Sequence, residues 1–296
     1  MKEIVVLSGK GGTGKTSLTA AFAALAHDFV LCDADVDAAD LHLLTAPEIK
    51  QRADFKGGSI ASINQDKCVS CGRCLELCRF GAVNDDFTID QIACEGCGVC
   101  VDLCPEQAID FPEQVCGQWF ISDTRFGPMV HARLGIAEEN SGKLVSLIRK
   151  KAAEIAQKNN LGLILTDGPP GVGCPVIASI GGAAVIVIIT EPTVSGLHDL
   201  KRLVKLAEHF RVPVLLMVNK FDLNLEQTAV IEEYAVARGI TILGRIPFAP
   251  DFTRAMIQGQ NILEYAPESK LVHMLHGIWT RINQFITEQK KELELR

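Results

Sequence analysis

The sequence has no long apolar run. A membrane-spanning helix needs about 18 or more consecutive apolar residues, and stretches such as 183–190 fall far short of that. It also has no surplus of positive charge: 29 Lys and Arg face 36 Asp and Glu, a formal net charge of −7. Bulk charge therefore disfavours nucleic acid as a partner. The N-terminus shows none of the charged, then apolar, then small-residue order of a secretory signal, because the chain runs straight into a strand-like segment. These absences lead us to expect a cytoplasmic protein that binds neither nucleic acid nor membrane. What the sequence does have is cysteine, 11 in 296 residues. Cytosolic thiols stay reduced, so that number points to metal or redox chemistry rather than disulfides. Apolar residues make up 48% of the chain and charged residues 22%, enough for a large α/β core with a smaller module.

Residues 8–16 read Ser-Gly-Lys-Gly-Gly-Thr-Gly-Lys-Thr. An apolar run typical of a buried parallel strand precedes them, and an Ala/Leu-rich helical stretch follows at residues 17–26. Strand, glycine-rich loop and helix are the context of a phosphate-binding loop. The backbone of Gly9, Lys10, Gly11, Gly12, Thr13, Gly14, Lys15, Thr16 and Ser17 is the candidate nucleotide cradle. Its glycines let N–H groups curl around phosphate oxygens, and the helix presents its positive end to the same anion. Lys15 is placed to reach the β- and γ-phosphates, and the Thr16 hydroxyl to ligate Mg²⁺.

Other strand ends carry matching chemistry. Residues 30–32 lead into Asp33-Ala34-Asp35, carboxylates on the rim where α/β sheets bind ligands. Residues 161–166 lead into Asp167-Gly168-Pro169-Pro170-Gly171, a hydrophobic strand closed by an aspartate that can hold Mg²⁺ through its water shell. Residues 214–218 lead into Asn219-Lys220-Phe221-Asp222, where Asn219 can bond a purine edge, with Pro247 at the edge of the base pocket. That run also resembles the Asn-Lys-x-Asp of GTPases, so guanine stays open beside adenine.

The cysteines fall into two runs. Cys68, Cys71, Cys74 and Cys78 have C-x2-C-x2-C-x3-C spacing, and Cys94, Cys97, Cys100 and Cys104 repeat it 26 positions on. Gly72 matches Gly98, and Ala82-Val83 matches Ala108-Ile109. This internal duplication is the arrangement of a bacterial two-cluster ferredoxin, in which the fourth cysteine of each run serves the other cluster. One [4Fe–4S] cluster is therefore expected on Cys68, Cys71, Cys74 and Cys104, and a second on Cys94, Cys97, Cys100 and Cys78. Zinc, the main alternative, takes its ligands as two separated pairs. Arg79 stands after the first run where Pro105 follows the second.

Lys10 inside the loop gives Lys-Gly-Gly-Thr-Gly-Lys-Thr. This resembles the deviant phosphate loop of the MinD/ParA ATPase class, which includes the nitrogenase iron protein and Mrp-type iron–sulfur carriers. The resemblance implies a nucleotide-sandwich homodimer with Lys10 as a contact across it, ATP rather than GTP, Asp35 orienting the attacking water, Asp33 nearer Mg²⁺, and Asn219 on adenine. The Asp-Gly-Pro-Pro-Gly segment resembles the switch of Mrp-like and MinD-like ATPases. Cys174 follows Asp167 at a distance similar to that of a cluster ligand in the nitrogenase iron protein, which suggests a third cluster at the dimer axis. Its plain reading is a small buried cysteine at a helix start. MinD ends in a membrane-binding helix; here residues 271–286 present one apolar face and the tail Lys290-Lys291-Glu292-Leu293-Glu294-Leu295-Arg296 is mixed in charge. A helix packed on the sheet fits better.

We read residues 46–63 as a connection. Residues 123–143 read as a polar loop whose Arg125, His131 and Lys143 face a partner, a cluster or phosphate, or simply solvent, and Ser195 reads as the cap of the next helix. The expected fold is a mostly parallel α/β sheet flanked by helices, formed by residues 1–62 and 113–296, with an inserted α+β ferredoxin module at 63–112. The expected function is a Mg²⁺-dependent ATPase, slow without a partner. It couples a dimer switch to electron transfer, toward a redox or cofactor-assembly protein. The alternatives are a cluster scaffold or carrier using Cys174, and a positioning ATPase.

Overall fold

The computed structural model describes residues 1–135 and 141–294, with side chains to residue 289. The chain forms two compact units, one of residues 1–53, 119–134 and 141–294, the other of residues 54–118 with Gly135. In chain order the strands are β1 (Lys2–Ser8), β2 (Phe29–Asp33), β3 (Glu48–Ser59), β4 (Ser62–Ile63), β5 (Ile109–Asp110), β6 (Glu113–Thr124), β7 (Gly127–Leu134), β8 (Leu163–Pro170), β9 (Val185–Thr190), β10 (Val214–Asn219) and β11 (Thr241–Ile246). The helices are α1 (Lys15–Leu25), α2 (Leu41–Thr45), α3 (Arg73–Leu77), α4 (Val99–Asp102), α5 (Ser141–Lys158), α6 (Cys174–Ile180), α7 (Val194–Phe210), α8 (Leu225–Ala237), α9 (Asp251–Ile257), α10 (Ile262–Tyr265) and α11 (Lys270–Glu294).

The main sheet runs β11-β10-β9-β1-β8-β2-β7-β6-β3. From β11 to β7 its strands pair in parallel. Helices cover both faces, which is why β9 reads Val-Ile-Val-Ile-Ile-Thr and is buried throughout. On one face α1 and α11 pack over the sheet, and Trp279 of α11 stacks on Phe22 of α1 with centroids 5.5 Å apart. Leu271, Leu275, Ile278, Ile282 and Ile286 recur at helical spacing on the same buried side of α11. Removing the Trp279 ring would cost about 3–5 kcal/mol. On the other face α6, α7 and α8 pack through Val176, Leu200, Leu203 and Ile231. The last helix therefore packs on the sheet through residue 286, as expected; the side chains of its mixed tail lie outside the described residues.

Three expectations are corrected. Residues 48–59 form the edge strand β3, not a connection; most of its residues are exposed or half-exposed, so it lacks the apolar run that marks a buried strand. Residues 113–134 form the β6–β7 hairpin, turning at Arg125-Phe126, so that 127–134, part of the polar loop expected at 123–143, is a strand. A turn this short makes the two strands antiparallel. Glu138, Glu139 and Asn140 lie outside the described residues. The helix cap is Thr193, whose hydroxyl accepts from Gly196 N at 2.9 Å, rather than Ser195.

The hairpin hides a polar pair. His131 is buried, its Nε2 lies 2.9 Å from Ser122 Oγ, and its ring stacks on Phe120 with centroids 4.9 Å apart. Burial, with a smaller push from His42, lowers the imidazole pKa to about 4. Asp33 faces it in register from β2. The neutral ring is thus favoured in the folded chain, and its stability contribution is lost as pH falls from the unfolded value near 6.5 toward 4. We predict that this group alone costs ~3 kcal/mol of stability across that window. Urea unfolding at both ends of the window checks it: His131→Gln should flatten the dependence, and an unchanged slope would contradict the assignment.

Candidate functional site

Parallel strands end on one rim, and register decides what meets there. Asp33 of β2 stands opposite Asp167 of β8. Asp167 is fully buried and accepts three side-chain hydrogen bonds: from Lys15 Nζ at 2.9 Å, Thr16 Oγ1 at 2.8 Å and Thr19 Oγ1 at 3.0 Å. Lys15 Nζ also lies 3.3 Å from Asp35. Burial works against the lysine charge, but Asp167, Asp35 and Asp33 outweigh it and hold the ammonium above the ordinary lysine range. Burial pushes the Asp33 carboxyl well up, and Asp167 adds to this against the pull of Lys15. Asp35 is raised more mildly, by burial against Lys15.

One Asp33 oxygen accepts from Asp35 N at 3.2 Å, and the other, Oδ2, is buried without a hydrogen-bond partner. An orphaned carboxylate oxygen beside Thr16 and Asp167 is a hard-oxygen setting that suits Mg²⁺ and its waters. Among the described residues no three His, Cys, Asp or Glu side chains gather closely enough to hold a bare ion. Mg²⁺ does not need them to, because it keeps several waters and leans on one or two carboxylates and on phosphate.

The loop before α1 is shaped by close approach. A Cβ on Gly9 would fall 2.1 Å from Asp199 Cβ of α7, and one on Gly14 would fall 2.5 Å from Asn219 Nδ2. Gly14 sits in the left-handed region (φ 88°) and α1 begins with no side-chain cap. Its first N–H groups are therefore available to an anion. The pocket in front of it is lined by the loop from Lys10 to Ser17, by Asp35, Leu44, Asn219 and Pro247, and by Phe248, Phe252 and Met256. Phe248 follows Pro247 at the pocket's edge, as expected, whereas Phe252 and Met256 of α9 carried no sequence motif.

Two expected residues have further partners. Asn219 Nδ2 donates to Thr13 O at 2.8 Å and its Oδ1 accepts from Lys220 N at 3.0 Å, so the side chain braces the loop as it lines the base end of the pocket. Lys10 Nζ lies 3.5 Å from Glu191 and 3.4 Å from Ser195 Oγ of its own chain. Glu191 also meets Lys220, whose Nζ donates to Gly12 O at 2.9 Å. Sequence reasoning missed Glu191 and Thr19. The signal for Thr19 was its place one helical turn after Lys15, and for Glu191 its place at the end of β9 on the same rim. Cys174 opens α6 as expected but is exposed, not buried. Cys32 is buried in β2, and burial pushes its thiol well up.

In the second unit the two cysteine runs sit on matching frames. Gly72 (φ 75°) precedes α3 and Gly98 (φ 76°) precedes α4. Ala82 N donates to Cys78 Sγ and Ala108 N to Cys104 Sγ, both at 3.3 Å. The runs cross: Cys68, Cys71, Cys74 and Cys104 line one pocket, and Cys94, Cys97, Cys100 and Cys78 line the other. In neither pocket do the side chains close on a single point as zinc ligands would. A cube of irons and sulfides is larger and holds its thiolates farther apart, so the residues present fit that group.

Residues 4–262 match the family model described as CbiA, the CobQ/CobB/MinD/ParA nucleotide binding domain. Two uncharacterized proteins of Methanocaldococcus jannaschii are similar. MJ0578 is 33% identical over 287 residues, 96% of this chain and 97% of its own. MJ0579 is 26% identical over 227 residues, 76% and 82% of the two. Among solved structures, Pyrococcus horikoshii MinD complexed with Mg-ADP aligns with a TM-score of 0.60 and 16% identity, covering 96% of both chains. The Pyrococcus furiosus cell division ATPase MinD aligns at 0.58 and 17%, covering 96% of this chain and 99% of that one. At such identities the likeness is one of fold.

Among the described residues Lys15 is the one cation inside the carboxylate group described above, so Lys15→Ala should leave buried like charges together. We predict a stability loss of about 3–5 kcal/mol in metal-free protein, partly restored by Mg²⁺. Thermal melts with and without Mg²⁺ test this; an unchanged melting temperature would mean that Lys15 does not balance the carboxylates.

Proposed function

The chain belongs to the CobQ/CobB/MinD/ParA nucleotide-binding family and is an ATPase, and from that premise we propose that it is an ATP-switched iron–sulfur protein. In this reading ATP lies along the loop with Lys15 on its terminal phosphates. Thr16 would ligate Mg²⁺, Asp33 and Asp167 would hold its water shell, and Asp35 would orient the attacking water. Lys15 leaves its carboxylate partners for phosphate, which changes the charge balance at the ends of β2 and β8. Lys10 leaves Glu191 to reach nucleotide across a homodimer. The clustering of Lys15, Thr16, Asp33, Asp35 and Asp167 supports this reading, and the roles of Asp35 and Lys10 are those that the loop's resemblance to the family implies.

The observation that carries the redox half is the crossing of the cysteine runs. Two separate pockets, each lined by three cysteines of one run and the fourth of the other, are what a two-cluster ferredoxin requires. The proposed module, residues 63–112, lies within the compact unit of residues 54–118. Cys68, Cys71, Cys74 and Cys104 would hold one [4Fe–4S] cluster, and Cys94, Cys97, Cys100 and Cys78 the other. Bound clusters would supply one-electron chemistry. A redox partner or a metal-cofactor assembly protein would receive the electrons.

A carrier role is the second reading, favoured by the exposure of Cys174 at the start of α6. A positioning role of the kind carried by the MinD structures leaves the cysteine pockets without a task. Protein purified without oxygen should contain about eight irons per chain. Cys104→Ser should alter the spectrum of the cluster on Cys68, Cys71 and Cys74, and Cys78→Ser that of the other. Electron paramagnetic resonance of the two variants separates these effects. Stoichiometric zinc without iron would overturn the reading.

A further inference from the structure

The β6–β7 hairpin turns at Arg125, and the guanidinium gathers three segments. Nε and Nη2 donate to the two carboxylate oxygens of Glu264 at 2.7 and 2.9 Å. Nη2 also donates to the carbonyls of Leu44 at 2.7 Å and Gly259 at 2.9 Å. The group lies over the Phe126 ring, 4.8 Å from its centroid. Each partner leads to the nucleotide pocket. Leu44 lines it from α2, and Gly259 closes the turn after α9, whose Phe252 and Met256 line it as well. Glu264 is fixed in turn, because it accepts from Asn261 N at 2.9 Å in the capping box of α10.

We propose that Arg125 is a positioning residue for the nucleotide: it ties the end of α2 to the turn after α9 and so fixes these two segments, which carry pocket-lining side chains, against each other. The inference rests on reading that pocket as the ATP site. Arginine suits the task, because its planar fork reaches a carboxylate and two carbonyls at once and a lysine ammonium does not. The ion pair itself contributes little, since both side chains are about 30% exposed and water screens the charges. What matters is the pair of carbonyls, one from α2 and one from the turn after α9. Arg125 touches no reacting atom. Contacts made by the walls are the same in the ground and transition states, so their loss falls on KM and leaves kcat in place.

The test uses the full chain as Arg125→Lys and Arg125→Ala, with steady-state ATP hydrolysis, calorimetric titration with Mg-ADP and a thermal melt. The account predicts that KM for ATP and Kd for Mg-ADP rise about tenfold, the scale of one lost charge-assisted hydrogen bond. It predicts kcat within about twofold of wild type, and a smaller preference for ATP over GTP. Arg125→Lys keeps the charge and loses the fork, so it should follow Arg125→Ala. If Arg125→Ala fails to fold, Arg125→Lys decides. Wild-type binding in a folded Arg125→Lys, or a fall in kcat at unchanged KM, would overturn the proposal. Failure of the wild-type chain itself to bind Mg-ADP would instead overturn the reading of the pocket.

Discussion

The structure turns on one buried ammonium. Lys15 stands at the start of α1 among the carboxylates of Asp33, Asp35 and Asp167, which end β2 and β8. Three acids at the closed end of a parallel sheet are tolerable only with counter-charge or protons, because desolvated like charges repel strongly. Lys15 supplies part of that balance, and the raised pKa of Asp33 shows where it falls short. In the proposed reading a nucleotide phosphate competes for the same lysine while Mg²⁺ answers the acids, so the charge balance among them would differ between filled and empty phosphate positions.

Glu191 extends this logic to the second lysine of the loop. It pairs with Lys10 and Lys220 in the same chain. Lys10 is partly exposed, so the pair is a weak restraint that water already screens. A phosphate brought up by a second copy would draw Lys10 away at small cost. Arg125 acts through α2 and the turn after α9. The cations in and around the nucleotide pocket, Lys10, Lys15, Lys220 and Arg125, thus each have a carboxylate partner inside the chain before any ligand enters.

Much of this was legible where chemistry fixes spacing. The phosphate loop must place Gly14, Lys15 and Thr16 in succession, and the two cysteine runs repeat one spacing, so both stand out in the sequence. The parallel strands were legible because burial on both faces makes them continuously apolar. The edge strand β3 was not, since exposed strands carry mixed residues. The β6–β7 hairpin was obscured by a buried polar pair, Ser122 and His131, that satisfies itself. Arg125 and Glu264 stand 139 positions apart, and no local pattern links them. Thr19 and Glu191 were hidden for the same reason: their roles exist only once distant strand ends share a rim.

The most direct test of the central claim, that the nucleotide site and the cysteine pockets form one switch, is an anaerobic redox titration followed by electron paramagnetic resonance, with and without Mg-ATP. The account predicts that Mg-ATP shifts the potential or line shape of at least one cluster. Two clusters with the same potentials and spectra in both conditions would contradict it and leave the cysteine-bearing unit a passive relay.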